Sequence, residues 1–449
     1  MNHVLALALV ATLVTACGGG GGGSTPVAPV APVSPIAPVS PIAPVSPIAP
    51  VAPIAPVAPI ATVVPTVPKA ANVSELTVDA GPSGTGYNVN RLYTTVTVCN
   101  PGTTQCKTID HVLVDTGSVG VRLLASAMGT TLNLKQSTGA SGFPLLNCAQ
   151  FVDNTVAWGP VATADIRLGG MTAASVPIQV IGDPAFNSLA TVATPLGTVP
   201  CSGSAMNTAL DLGANGILGI GLLKEDCGSR CNNIVNNGSY YTCTTASCTG
   251  AKASFAQQVK NPVPLFASDN NGVLIDLPTA SSAGVPSLSG SLIFGIGTQS
   301  NNQLASGAGT VLTADISTGY ITTRLGSQSL TNSFIDSGSN GLFFDSTTIA
   351  DCGNSAPGFY CPTSPVNLSV TLVGVNEATS AVSFSIDKAS DLFSGGVNHV
   401  LPTLAGNIGD LPGHPSTFDW GLPFFYGRRV FFGIEGQAST LGTGPFYAF

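Results

Sequence analysis

From about residue 70 onward the chain is a succession of short apolar or alternating runs, each broken by Gly, Asn, Asp or Pro. A period of two, or a short apolar run bounded by turn residues, is the pattern of a strand. It predicts strands at 93–98, 108–114, 162–168, 176–181, 273–277, 291–295, 310–314, 320–325, 366–373 and 430–434. The three- and four-residue spacing of an amphipathic helix is scarce, and 254–259 is the best short candidate. A stretch of roughly 380 residues exceeds what one hydrophobic core usually holds. The expectation is an all-β body of two sheet-rich lobes, the first over residues 69–255 and the second over 256–449.

The beginning of the chain is patterned differently. Residues 4–16 form an apolar run too short to span a bilayer as a helix. It fits the core of a signal peptide over 1–16, although Met1, Asn2 and His3 bring no Lys or Arg. The small residues before Cys17 resemble a bacterial lipobox, so acylation of Cys17 and a lipid anchor in a membrane are expected. Glycines follow, and then proline at about every third position from 26 to 65. That repeat favours polyproline II and predicts a stalk over 17–68, its Pro-rich part on the order of 120 Å long at ~3.1 Å per residue. Gly18 stands where an Asp commonly retains lipoproteins at the inner membrane, which points an exported bacterial lipoprotein to the outer one.

Composition narrows the reading. Charged residues are 8% of the 449, against roughly 25% in an average domain. The surface must then be Ser, Thr, Asn and Gly, a mix poor in helix formers, which argues against a helical bundle. The net charge of −8, with Lys and Arg scattered, leaves no footprint for a phosphate backbone, and nucleic acid is set aside. With Cys17 consumed by lipid, an even set of cysteines remains: Cys99, Cys106, Cys148, Cys201, Cys227, Cys231, Cys243, Cys248, Cys352 and Cys361. In an exported chain these read as disulfides. The expected pairs are Cys99–Cys106 across a Pro-Gly turn, Cys148–Cys201 and Cys352–Cys361, with the other four pairing among themselves. Zinc is the alternative for those four, and an oxidising compartment argues against it. No metal or cofactor is expected.

Two segments carry the chemistry. Asp115-Thr116-Gly117-Ser118 closes one apolar run and Asp336-Ser337-Gly338-Ser339 closes another; each is followed by one residue, a Gly and a second apolar run. A lone Asp-Thr-Gly is an ordinary turn after a strand. Two copies about 220 residues apart in matched contexts are hard to read as turns. Peptide hydrolysis without a metal or covalent nucleophile needs one carboxylate as base for a water and one carboxylic acid to protonate the carbonyl oxygen. Two facing carboxylates supply both, because like charges that close share one proton.

The pair resembles the two catalytic loops of pepsin-like aspartic proteases. Other landmarks fall in the family's order: a hairpin of 94–98 and 108–114 about Asn100-Pro101-Gly102, the apolar-apolar-Gly segment at 215–221, an opening strand at 289–295, and closing segments at 420–425 and 430–433. The likeness covers about residues 90–435 and is nearest to a bacterial lipoprotein branch. It implies a bilobal fold with an interlobe cleft, Asp115 and Asp336 as the catalytic pair, and an extended peptide as the substrate of a monomer. It also implies that Thr116 and Ser337 reach across to the opposite loop, that Ser118 and Ser339 bond the outer carboxylate oxygens, and that Gly117 and Gly338 admit backbone amides.

The sequence also departs from the family. The segment matching the flap, 148–159, has no tyrosine, leaving Phe151 and Trp158 as apolar candidates to cover the cleft. Leu422 follows Gly421 where pepsins often carry Asp, and no basic pro-segment precedes the body. The histidines at 3, 111, 399 and 414 share no nucleophile-elbow, zinc-protease or phosphate-loop context; His111, four residues before Asp115, is the one placed to perturb the pair. The aromatic run from Trp420 to Phe432 reads as core. Two function classes remain: a membrane-tethered aspartic endopeptidase, and a non-catalytic surface or periplasmic binding protein on the same fold.

Overall fold

A computed structural model describes residues 70–192, 199–305, 309–409 and 416–449. The signal peptide, Cys17, the stalk and His414 lie outside them. The alternating patterns do become strands, several of them longer than the pattern alone suggests: Leu92–Cys99, Cys106–Asp115, Thr155–Leu168, Met171–Ile181, Gly272–Asp276, Leu288–Phe294, Val366–Val373 and Arg429–Gly433 among them. Segment 254–259 is not a helix. Gln257 and Gln258 both donate to the Ser254 carbonyl, closing one turn. The next amides are taken elsewhere, Val259 by the Tyr240 hydroxyl at 2.8 Å and Lys260 by the Pro177 carbonyl at 3.2 Å, so no second turn forms.

One strand arrangement occurs twice, and it positions both motif loops. In the first half, Cys106–Asp115 ends on Asp115 and the chain returns as Val119–Leu124; Gly216–Ile220 runs parallel to the former and antiparallel to the latter. In the second half, Gln328–Ile335 ends one residue before Asp336 and the chain returns as Leu342–Phe344. Thr417–Trp420 there runs parallel to the first strand and antiparallel to the second. A strand inserted in this way leaves each Asp loop at the end of its sheet, where side chains can face out of the ladder.

The two halves share structure. Val73–Val78 pairs along its length with Leu288–Phe294, which pairs with Gly272–Asp276, which pairs in turn with Arg429–Gly433. A 17-stranded sheet thus holds strands from both halves, while a 7-stranded sheet is built wholly from the second. A single apolar cluster includes Val114 and Leu218 from the first half and Ile335, Phe418 and Trp420 from the second. All ten cysteines of the body are paired, as Cys99–Cys106, Cys148–Cys201, Cys227–Cys231, Cys243–Cys248 and Cys352–Cys361. The first is a directly opposed pair in the hairpin register. Among the described residues no helix is long and apolar enough to cross a membrane.

Candidate active site

The strand to Asp115 has its last four residues buried, and Val114 sits in the core, so the carboxyl is delivered at a fixed point rather than on a loose loop. The Asp336 strand is anchored likewise by Ile335. The two loops meet. The Gly117 amide donates to Asp115 Oδ1 at 2.9 Å and to Asp336 Oδ1 at 3.0 Å, and the Gly338 amide donates to Asp336 Oδ1 at 2.7 Å. Both glycines are required by this approach. A Cβ on Gly117 would lie 2.5 Å from the Asp336 carboxyl carbon, and one on Gly338 would lie 2.8 Å from that of Asp115.

Below the carboxyls the loops hold one another. Thr116 Oγ1 donates to the Ile335 carbonyl at 3.1 Å and accepts from the Ser337 amide at 2.9 Å. Ser337 Oγ does the converse, donating to the Val114 carbonyl at 2.7 Å and accepting from the Thr116 amide at 3.2 Å. Each hydroxyl both gives and receives across the interface, so neither loop shifts without breaking bonds of the other. The outer oxygens are bonded as well. Ser118 Oγ donates to Asp115 Oδ2, the Ser118 amide to Asp115 Oδ1 at 3.0 Å, and Ser339 Oγ to Asp336 Oδ2 at 2.8 Å.

Burial, and then the neighbouring Asp336 charge, push the Asp115 carboxyl well above the usual carboxylate range, against the lowering effect of Ser118. Two carboxyls held this close share a proton that belongs to the pair.

A third carboxyl was not singled out by the sequence. Asp419 lies between Phe418 and Trp420 on Thr417–Trp420, is 2% exposed, and places Oδ2 2.6 Å from Ser339 Oγ. Burial first, then the Asp336 charge, raise its pKa well above normal. The only sequence signal was an acid set between two aromatics, Phe418 and Trp420. Asn90 was also missed: fully buried with φ of 48°, it donates to the Asn340 and Leu401 carbonyls at 2.8 Å and so fixes the backbone just beyond Ser339.

The flap candidates separate. Leu145–Gln150 and Thr155–Leu168 form a hairpin with Cys148 opposite Trp158. Trp158 does not cover a cleft: it is 1% exposed, packs at the edge of Tyr241 and donates its indole N–H to the Phe186 carbonyl at 2.9 Å. Phe151, at the hairpin tip, is half-buried against the cluster of Tyr93, Leu113 and Leu124. His111 does not face the pair; its nitrogens lie 3.5 Å from Asp79 and 3.4 Å from Asp110. The aromatic run is core, with Trp420 stacked on Phe418 at 4.1 Å between ring centroids. Among the described residues no cluster of three or more His, Cys, Asp or Glu is arranged to hold a metal ion.

Residues 68–449 match the model of a family described as "Protein of unknown function (DUF3443)". No curated protein matches the chain. Among solved structures, an aspartic proteinase from Irpex lacteus is similar over 84% of this chain and 96% of that one, at 16% sequence identity and a TM-score of 0.43.

Proposed function

We propose that this chain, which belongs to the DUF3443 family, hydrolyses peptide bonds with a water activated between Asp115 and Asp336. The observation that supports this reading is the mutual hold of the two loops, which brings two carboxyls onto a single amide, that of Gly117. In this account Asp336 takes a proton from the water as its oxygen attacks the scissile carbonyl carbon, and Asp115 gives its proton to the carbonyl oxygen. The tetrahedral diol then collapses, the C–N bond breaks, and the amine leaves with a proton returned through the pair. An extended substrate would add main-chain hydrogen bonds to those chemical contacts. The five disulfides fit an exported chain. Attachment through acylated Cys17, a polyproline stalk and an outer-membrane location complete the proposal.

The interior placement of Trp158 favours a second reading, a binding protein whose pair does no chemistry. The experiment that separates them is incubation of the full chain with a denatured protein mixture from about pH 3 to about pH 8, beside Asp115→Asn. Because the Asp115 pKa is raised, the singly protonated pair persists below that value and is lost as pH rises through it, so cleavage should be strongest in acid and decline along its alkaline limb. Asp115→Asn should cost about 10³-fold or more. A folded chain that cleaves nothing across the range supports the binding protein.

A further inference from the structure

Ser339 faces more acceptors than one hydroxyl can serve. Its Oγ lies 2.8 Å from Asp336 Oδ2 and 2.6 Å from Asp419 Oδ2. A serine has one hydrogen to give. Between two ionised carboxylates one of these contacts would be oxygen against oxygen with no proton, so one of the carboxyls carries the missing hydrogen. Asp336 Oδ1 receives the amides of Gly117 and Gly338, donors that stabilise a charged carboxylate. Asp419 has no such support. Its Oδ1 is buried and has no hydrogen-bond partner among the described residues. A bare anionic oxygen in that position costs far more than the bare carbonyl oxygen of a neutral acid.

We propose that Asp419 is a neutral carboxylic acid whose hydroxyl donates to Ser339, obliging Ser339 to donate onward to Asp336 Oδ2. Asp419 is then a positioning residue: through Ser339 it keeps the outer oxygen of Asp336 bonded, while the inner one stays on the Gly117 and Gly338 amides facing Asp115. This rests on the reading of Asp115 and Asp336 as the reacting pair. The groups around Asp419 agree with a neutral state. Asp336 follows the neighbouring parallel strand and Asp115 stands on the first loop, both acidic. Among the described residues the further titratable neighbour is Tyr447, from Phe446–Ala448, whereas the antiparallel neighbour Leu342–Phe344 carries no titratable side chain. Burial and the two acids act on Asp419 in the same direction, towards the protonated form.

The test has a part that needs no catalysis. In the full chain labelled with carboxyl-13C aspartate, the signal missing from Asp419→Asn identifies Asp419, and its chemical shift is followed with pH. It should stay at the protonated value well above the pH at which an ordinary aspartate titrates, near ~3.9. Titration near that ordinary value overturns the proposal. In the cleavage assay Asp419→Ala should lower kcat at least about tenfold with KM changed less than about twofold, and Asp419→Asn, whose amide can also donate to Ser339, should restore most of the loss. The alkaline limb of Asp419→Asn should stay where the wild type's is. Were Asp419 charged, the Asn form would remove a negative charge beside the pair and move that limb to lower pH by about a unit; this shift, or a fully active Asp419→Ala, also overturns the proposal. If the wild type cleaves nothing, the proposed function fails, while the carbon titration still decides where the proton is.

Discussion

A methyl group on Gly117 would stand 2.5 Å from the carboxyl carbon of Asp336, inside any permitted contact. Its φ is not in the left-handed region, so the demand is for space and not for backbone freedom. Gly117→Ala should therefore push the two loops apart, and a misplacement of about 1 Å can cost ~10²-fold in rate. Overpacking at a buried contact should also lower stability by about 1–3 kcal/mol. Rate and urea midpoint measured on the same preparation check both, and an unchanged kcat would mean the carboxyls need not be this close. At this scale the motif residues were legible because their pattern occurs twice. Asp419 was not: an Asp between Phe418 and Trp420 reads as one polar position in a strand. Only the parallel pairing of Asn332–Ile335 with Thr417–Trp420 brings it beside the second loop.

The strands were legible element by element because a period of two survives in a half-buried sheet. The failures lie where a long-range partner decided a local choice. Ser254 begins a turn that looks helical, yet the Tyr240 hydroxyl takes the amide of Val259 and ends it. Trp158 occupies a hairpin that looks like a lid, yet its position opposite Cys148 sends it into a cluster with Cys201 and Tyr241. The same hairpin is tied midway along its pairing by Cys148–Cys201, which spans 53 residues, whereas Cys99–Cys106 spans 7. In the chain-entropy account the longer closure removes more freedom from the unfolded chain. Replacing both cysteines of Cys148–Cys201 by Ala should cost about 4 kcal/mol, and the same change at Cys99–Cys106 about 2.5 kcal/mol. Denaturant unfolding of the two variants checks the order, and equal losses would show that strain or residual structure outweighs loop length.

For the molecule as a whole, two β-rich halves were foreseeable from length and from the repeated motif, but their sharing of a sheet was not. Nothing local in Val73–Val78 indicates a partner at Leu288–Phe294. That shared sheet, with the grip of Thr116 and Ser337, holds Asp115 and Asp336 as one unit although they come from different halves of the body. In the proposed reaction the two carboxyls work as one group around one shared proton. The most direct test is a double-mutant cycle on the full chain, measuring cleavage by the wild type, Asp115→Ala, Asp336→Ala and the combined variant. Each single change should fall to nearly the same floor, and the double change no more than about threefold further. Single losses that multiply in the double variant, or cleavage that survives Asp336→Ala, would contradict the shared proton.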